Sequence, residues 1–299
     1  MAKIPYTKPA TAYAEQLQQL KDRGMQIANE PKVLHLLESI SYYRLSGYWH
    51  PLLADKQTHR FKKGATFEMA FQLYCFDKDL RKLVIAELEK IEVAIRAKMI
   101  YVLSHKHGSF WHTNASLFKK AHKHAKSLSK MKEEYDRSDE EFIKAFSLKY
   151  SDVYPPAWMA MEITSFGTLS RLYENLNTTK ERRDVANYFG LSDTAFESWL
   201  HSIVYLRNIC AHHTRFWNRI MSISPQTLKS PSKLWIVNTS VQNNKTYYML
   251  SMIKYLLQTV HPNSTFTFRL KELLAKYPNV DIGAMGFPTD WEMENLWTN

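Results

Sequence analysis

The chain has 299 residues, 45% hydrophobic and 13% aromatic, with only eight glycines, a composition for a globular, mostly helical protein with a sizeable core in one large or two small domains. Its two cysteines, Cys75 and Cys210, stand far apart and in no metal-type spacing, which excludes a disulfide scaffold and fits a reducing compartment. The net charge of +11 favours polyanionic partners through phosphate contacts and counterion release, without separating nucleic acid from a membrane surface.

In chain order, "TAYAEQLQQLKDRG" predicts a short amphipathic helix closed by Gly24. A second helix follows Asn29 through "PKVLHLLESI", its proline tolerated in the first turn. The aromatic-rich "SYYRLSGYWHPLL" is expected to break at Gly47 and Pro51, and residues 55–64 to form a basic loop. From Thr66 to about Ser104 apolar residues recur at helical spacing, over a length that predicts a kink or break near "FDKD". Residues 119–132, "KKAHKHAKSLSKMK", concentrate Lys and His ahead of an acidic block, as either solvated surface or a phosphate-contacting patch that includes Lys119, Lys120 and Lys123.

After "YPP", residues 157–176 predict a helix interrupted around Gly167. Thr194 with Glu197 three residues on forms a capping-box pattern that starts the next helix, expected to reach about Ser222 before Pro225. A Ser/Thr/Pro-bearing loop, a helix near 245–260 and a less regular tail complete the chain. Strand-like alternation is scarce, so the fold class is all-α. The expected division is an N-terminal helical segment (1–60), a helical core (61–224) and a C-terminal extension (225–299). No run is long enough to span a bilayer and "MAKIPYTKPATAY" lacks the apolar core of a signal peptide, so the expectation is a cytoplasmic protein with no membrane partner.

The stretch "SIVYLRNICAHHTRFWNRI" (202–220) carries chemistry beyond its apolar pattern. On a helix advancing about 100° per residue, Asn208, His212, Arg215 and Arg219 fall within roughly 60° of one another, with Arg207 about 100° to one side. Guanidinium binds phosphate bidentately, and imidazole moves protons near neutral pH. An Arg–His pair beside an RNA phosphate supports metal-free cleavage by the neighbouring 2′-OH, a route closed to DNA. The same stripe also reads as a plain phosphate-binding face or as a solvated helix face.

Arg207-Asn208-x-x-x-His212 resembles the R-x(4–6)-H signature of HEPN domains, and its surroundings resemble that motif as found in the abortive-infection Abi family of AbiD/AbiF type. "ISYYRLSGYWHP" (40–51), "LYCFDKDLRKLVIAELEKIEVAIRAK" (73–98) and "PPAWMAMEITSFGTLSRLY" (155–173) precede it in the family's order. The likeness spans roughly residues 15–220, and nothing C-terminal to it matches. The resemblance implies a HEPN-like helical bundle with N- and C-terminal helical additions, and a defence-linked, metal-independent endoribonuclease, often a toxin. It implies a homodimer with two motif copies facing across a cleft, and in several relatives a small structured noncoding RNA as partner. Residue by residue, His212 is the expected general acid or base, Arg207 the group on the scissile phosphate, and Asn208 the residue orienting the imidazole. Arg215 and Arg219 are expected to track RNA phosphates, Glu92 to support the site from a neighbouring helix, and His213, off the stripe, to be structural.

Other constellations have blander readings beside functional ones. Arg44 and His50 repeat the Arg–His spacing across the expected break, as a coincidence. Tyr42, Tyr43, Tyr48 and Trp49 are read as core or as base-stacking groups. Glu89, Glu92 and Arg96 share a face of the long helix, either as an internal salt-bridge network or as support for the Arg–His pair. His105, His107, His112, His122 and His124 lack cysteine or carboxylate partners in a metal spacing, so no metal and no cofactor is expected. The readings in competition with the nuclease are a noncatalytic RNA-binding protein and a helical interaction protein whose charge only aids solubility.

Overall fold

The computed structural model describes residues 4–298, and the fold is all-α. In chain order the helices are α1 (Tyr13–Asp22), α2 (Glu30–Ile40), α3 (Tyr42–Trp49), α4 (Phe67–His107), α5 (Ala121–Asp136) and α6 (Glu141–Lys149). They continue with α7 (Ala157–Ile163), α8 (Phe166–Asn175), α9 (Lys180–Tyr188), α10 (Asp193–Ala211), α11 (Thr246–Val260) and α12 (Phe266–Lys276). The one sheet among the described residues is an antiparallel hairpin, β1 (Leu53–Asp55) with β2 (Arg60–Phe61), of which β2 falls inside the 55–64 stretch expected to be loop and β1 meets its start. Among the described residues no helix is long and apolar enough to cross a membrane.

The chain forms two compact units. The first holds the described residues up to Asp79 together with Leu273–Val280. Its core joins Leu17 and Leu20 of α1, Val33 and Leu37 of α2, Leu45 and Trp49 of α3, and Phe67 of α4. Asn29 caps α2 by accepting the Lys32 N–H at 2.9 Å. Gly47 lies inside α3 rather than breaking it. A helical glycine costs about 1 kcal/mol against alanine, and here the burial of Leu45, Tyr48 and Trp49 at helical spacing outweighs it. The helix stops instead at Trp49, before Pro51, so His50 is the C-cap of the helix that carries Arg44.

The break expected near "FDKD" is absent: α4 is one helix of 41 residues. The two aspartates there have partners instead. Asp77, fully buried, accepts a hydrogen bond from the Tyr48 hydroxyl at 2.6 Å. Asp79 accepts from Lys276 Nζ and Tyr277 Oη, both at 2.8 Å.

The second unit comprises Leu80–Glu272 and the described residues from Asp281 onward. Its centre is α10, on which Trp199, Ile203 and Leu206 are buried, and α11, whose residues Thr246 to Leu257 are all buried. The expected interruption at Gly167 falls slightly earlier, at Thr164 and Ser165, where the Ser165 hydroxyl accepts the Thr168 N–H and starts α8. The cap of α10 is Ser192, whose hydroxyl accepts the Ala195 N–H at 3.2 Å, and not Thr194. Glu197, expected to complete a capping box, pairs with the guanidinium of Arg182 on α9. Arg182 is 2% exposed and also donates to the Leu176 carbonyl at 2.9 Å, so one buried cation ties α9 to the ends of α8 and α10. The sequence reading had no helix at α9 or α12, short elements whose apolar faces are held by tertiary packing rather than by propensity.

Near α5, His112 is fully buried and its ring nitrogens meet no hydrogen-bond partner among the described residues. The Nε2 of His124 lies 2.7 Å from the His112 carbonyl oxygen, and the His124 ring stacks on Phe118. Burial, with the nearby His124 adding to it, pushes the His112 imidazole down to about 4. The folded protein therefore keeps His112 neutral at pH values where the unfolded chain, titrating near 6.5, takes up a proton. Stability is lost as pH falls from about 6.5 to about 4, by at most roughly 3 kcal/mol from this group. Urea unfolding of wild type and His112→Asn at pH 7 and pH 4.5 checks this: the acid loss is expected to be smaller in the variant.

Candidate functional site at the end of α10

Helix α10 ends at Ala211, not near Ser222. His212 is its C-cap, with its N–H on the Asn208 carbonyl at 3.0 Å. His213 takes the left-handed conformation, φ +55°. The His213 N–H then reaches the Cys210 carbonyl at 3.2 Å and the Thr214 N–H reaches Ile209 at 2.9 Å, the paired bonds of a Schellman closure. That position usually holds glycine, because a Cβ there costs roughly 1–2 kcal/mol. Burial of Phe216, Trp217 and Met221 just beyond the turn offsets the strain. Imidazole and guanidinium groups also suit the negative end of a helix dipole.

The chain then runs back along α10. Ser222 Oγ donates to Tyr205 Oη at 2.9 Å, and the Gln226 N–H donates to Ser198 Oγ at 2.8 Å. Trp199 Nε1 donates to the Gln226 carbonyl, also at 2.8 Å. The apolar rhythm that pointed to a continuing helix is thus satisfied by a returning segment, and the polar stripe is not one helix face. Arg219 nevertheless comes back to α10: its guanidinium lies 6.0 Å from the Tyr205 ring centroid, and Nη1 approaches the Arg215 carbonyl at 3.4 Å. Arg215 is half-buried between the turn and that contact.

Arg207 and Asn208, adjacent in sequence, face different grooves. Arg207, half-exposed, lines one of about 540 Å³ with Glu89, Glu92, Arg96 and Glu162. Glu92 links two arginines there: Arg96 Nη2 donates to Oε1 at 3.0 Å, and Arg207 Nε stands 3.7 Å from Oε2. Arg96, 8% exposed, also donates to the Thr164 carbonyl at 2.9 Å, which fixes the carboxylate from α7's end. Glu92 thus joins the salt bridge within α4 and also stands against Arg207. His212 is exposed just past the last turn, and among the described residues no hydrogen bond or ion pair holds its side chain or that of Asn208.

Asn208 lines the second groove, about 560 Å³ between α5, α8 and α10, together with Lys123, Lys126, Lys130 and Arg171. Of the three lysines singled out from sequence, only Lys123 reaches this groove, and Glu174 Oε1 pairs with it at 2.6 Å. Lys119 and Lys120 sit before α5, their backbone N–H groups bonded to Asn175 at 2.8 and 3.1 Å. Lys126, Lys130, Arg171 and Tyr205 were not singled out. The spacing of His122, Lys126 and Lys130 at i, i+4 and i+8 was the available signal. Among the described residues no group of three or more His, Cys, Asp or Glu is placed to hold a metal ion.

The family model of the Abi-like proteins matches residues 35–218, from α2 through the turn that carries His212 and His213. The chain belongs to the Abi-like family. The matched region takes in Glu92, Arg96, Arg207, Asn208 and His212. No curated protein and no solved structure matches the chain. The long C-terminal part of this Abi-like chain, including α11 and α12, lies beyond the family match.

The two arginines on Glu92 differ in what they do for stability. Glu92→Ala leaves the nearly buried Arg96 without its carboxylate and is expected to cost about 3 kcal/mol. Arg207→Ala removes a half-exposed partner and is expected to cost less than about 1 kcal/mol. Denaturant midpoints of the two variants check the contrast. Equal losses would place Arg207 in the structural network rather than in reserve for a ligand.

Proposed function

We propose that this Abi-like protein is a metal-independent endoribonuclease of HEPN type, AbiD/AbiF-like, that acts in abortive infection. The observation that carries the reading is the arrangement at the end of α10. Arg207 is braced by Glu92 at the edge of a groove, and His212 is exposed and unheld beyond the last turn of the same helix. Arg207 stays protonated at any cellular pH and can neutralise a phosphate as negative charge develops on its oxygens. In the reaction, the 2′-oxygen of RNA bonds to the adjacent phosphorus as the P–O5′ bond breaks. One proton leaves the 2′-OH and one arrives on the 5′-oxygen, and His212 serves one of these transfers. Asn208 orients the imidazole or a substrate group from one turn below. Arg219 lies beside Tyr205, and Lys119, Lys120 and Lys123 at the start of α5 supply further phosphate contacts outside the reacting centre. The products are a 2′,3′-cyclic phosphate and a 5′-hydroxyl end, with no metal or cofactor in the balance.

Cleavage is expected to survive EDTA and to stop on a substrate with 2′-deoxy or 2′-O-methyl sugar at the scissile nucleotide. His212→Ala is expected to abolish cleavage and cellular toxicity while keeping RNA affinity within a few-fold. Strict need for a divalent ion, or efficient cutting of DNA, overturns the mechanism. Absence of cleavage by the wild-type protein, with RNA still bound, leaves a noncatalytic RNA-binding protein, the carrier of a small structured noncoding RNA.

We place the working form as a homodimer. The chain supplies one Arg–His motif, and residues five apart near a helix end point about 140° away from each other. A two-fold interface presents the same patch twice, which lets Arg207 of one subunit meet His212 of the other. Mixing His212→Ala chains with Arg207→Ala chains is expected to restore activity, since half the centres of each mixed dimer regain both groups. Full activity from a monomer under assay conditions, measured by sedimentation, rules the shared centre out.

A further inference from the structure

The groove on the Asn208 side has three helical walls, each offering residues at helical repeat. His122, Lys126 and Lys130 rise along α5 at i, i+4 and i+8, one step every ~6 Å. That rise is comparable to the spacing of successive phosphates along an extended strand. Arg171 faces them from α8, and Tyr205 and Asn208 lie on the α10 side.

The groove gathers cations that, among the described residues, have no carboxylate partner. Other lysines in the chain's helices often have a carboxylate within reach: Lys90 on Glu87, Lys123 on Glu174, Lys32 on Glu68. Among the described residues Lys126, Lys130 and Arg171 have none, although they line one groove. Like charges one helical turn apart repel one another, and the only carboxylate among the described residues lining the groove, Glu174, is engaged by Lys123. The empty groove therefore carries an unbalanced positive charge that a bound polyanion relieves.

Tyr205 adds a second kind of contact. Its hydroxyl is fixed by Ser222 and its ring is approached by Arg219. Burial raises the Tyr205 phenol, but the Ser222 hydrogen bond and the Arg219 charge outweigh it and hold the group below its ordinary value. A fixed aromatic ring in a basic groove is a stacking platform for an unpaired base. A volume of about 560 Å³ suits a nucleotide or two, not a duplex.

We propose that the α5/α8/α10 groove is the path of the single-stranded RNA flanking the cleaved bond, with Lys126, Lys130 and Arg171 on consecutive phosphates and Tyr205 under a base. This rests on the proposed ribonuclease reading and extends it from the reacting phosphate to its neighbours. The strand enters along α5 and meets α10 at Asn208, the residue next to Arg207. Free nucleotides share the same phosphate and base chemistry, so the test separates them from a strand.

The parent for the test is the full-length His212→Ala protein, which binds without cutting. Binding of a labelled oligouridylate is followed by fluorescence anisotropy across a salt series. Lys126→Glu/Lys130→Glu is expected to weaken binding by at least a hundredfold. Lys126→Ala/Lys130→Ala is expected to lower the salt slope by about 1.4, the value for two single-strand phosphates. Arg171→Glu, on another helix, provides an independent loss, and unchanged melting of each variant shows that the exposed substitutions leave the fold intact. Tyr205→Leu is expected to weaken binding about tenfold with the salt slope unchanged. In the cutting protein, Lys126→Ala/Lys130→Ala is expected to raise KM far more than it lowers kcat. Parent-like binding by the charge-reversal variants overturns the groove and leaves the ribonuclease reading standing. Displacement of the oligonucleotide by uridine monophosphate at matching concentration overturns the strand path in favour of a free-nucleotide site. Failure of the parent to bind any RNA overturns both readings.

Discussion

The left-handed turn at His213 decides what the rest of the site can be. It ends α10 at Ala211, exposes His212 at the helix terminus and sends Phe216, Trp217 and Met221 back into the core of the second unit. Without it, Arg215 and Arg219 would ride outward on a longer helix. With it, Arg219 returns to the flank of Tyr205, and Ile223 lines the same groove as Asn208. A local conformational cost is met by burying large apolar side chains a few residues away.

Charge is distributed differently on the two sides of that helix. On the Arg207 side, carboxylates from α4 and α7 meet arginines, and Glu92 fixes the geometry of both. The opposite side is basic and largely uncompensated. A positive group that is braced has little freedom to lose when it meets a phosphate, whereas an uncompensated row gains by association itself. The same molecule thus sets one arginine against a carboxylate and, among the described residues, leaves several groove cations without one.

Much of the fold was legible because periodicity reports burial directly. The cap of α2 at Asn29, the stop at Gly24 and the helix at 246–260 follow from local chemistry that tertiary contacts do not override. The failures share one cause, long-range partners invisible to local spacing. The length of α4 pointed to a break near Asp77 and Asp79, which are instead partnered by Tyr48, Lys276 and Tyr277. Glu197 looked like a capping residue and binds Arg182. At the candidate site, the closeness of Glu92 and Arg96 was readable from an i, i+4 spacing, but the approach of Arg207 to Glu92 joins residues more than a hundred positions apart. The end of α10 was not readable, since apolar residues in a returning segment can keep the rhythm of a helix.

Because Arg207 and Asn208 open onto separate grooves, the last turn of α10 acts as a divide about 10 Å across. An RNA that touches both must bend sharply over the helix terminus, next to His212. Paired, stacked RNA resists such a bend, while an unpaired stretch turns freely at each sugar–phosphate link. On the proposed ribonuclease reading, the divide becomes a filter on RNA structure: hairpin loops, bulges and loose ends can straddle it, and a continuous stem has to melt first. Selectivity of this kind needs no base to be read, and it would make the folding of a transcript, more than its sequence, the property that decides its fate.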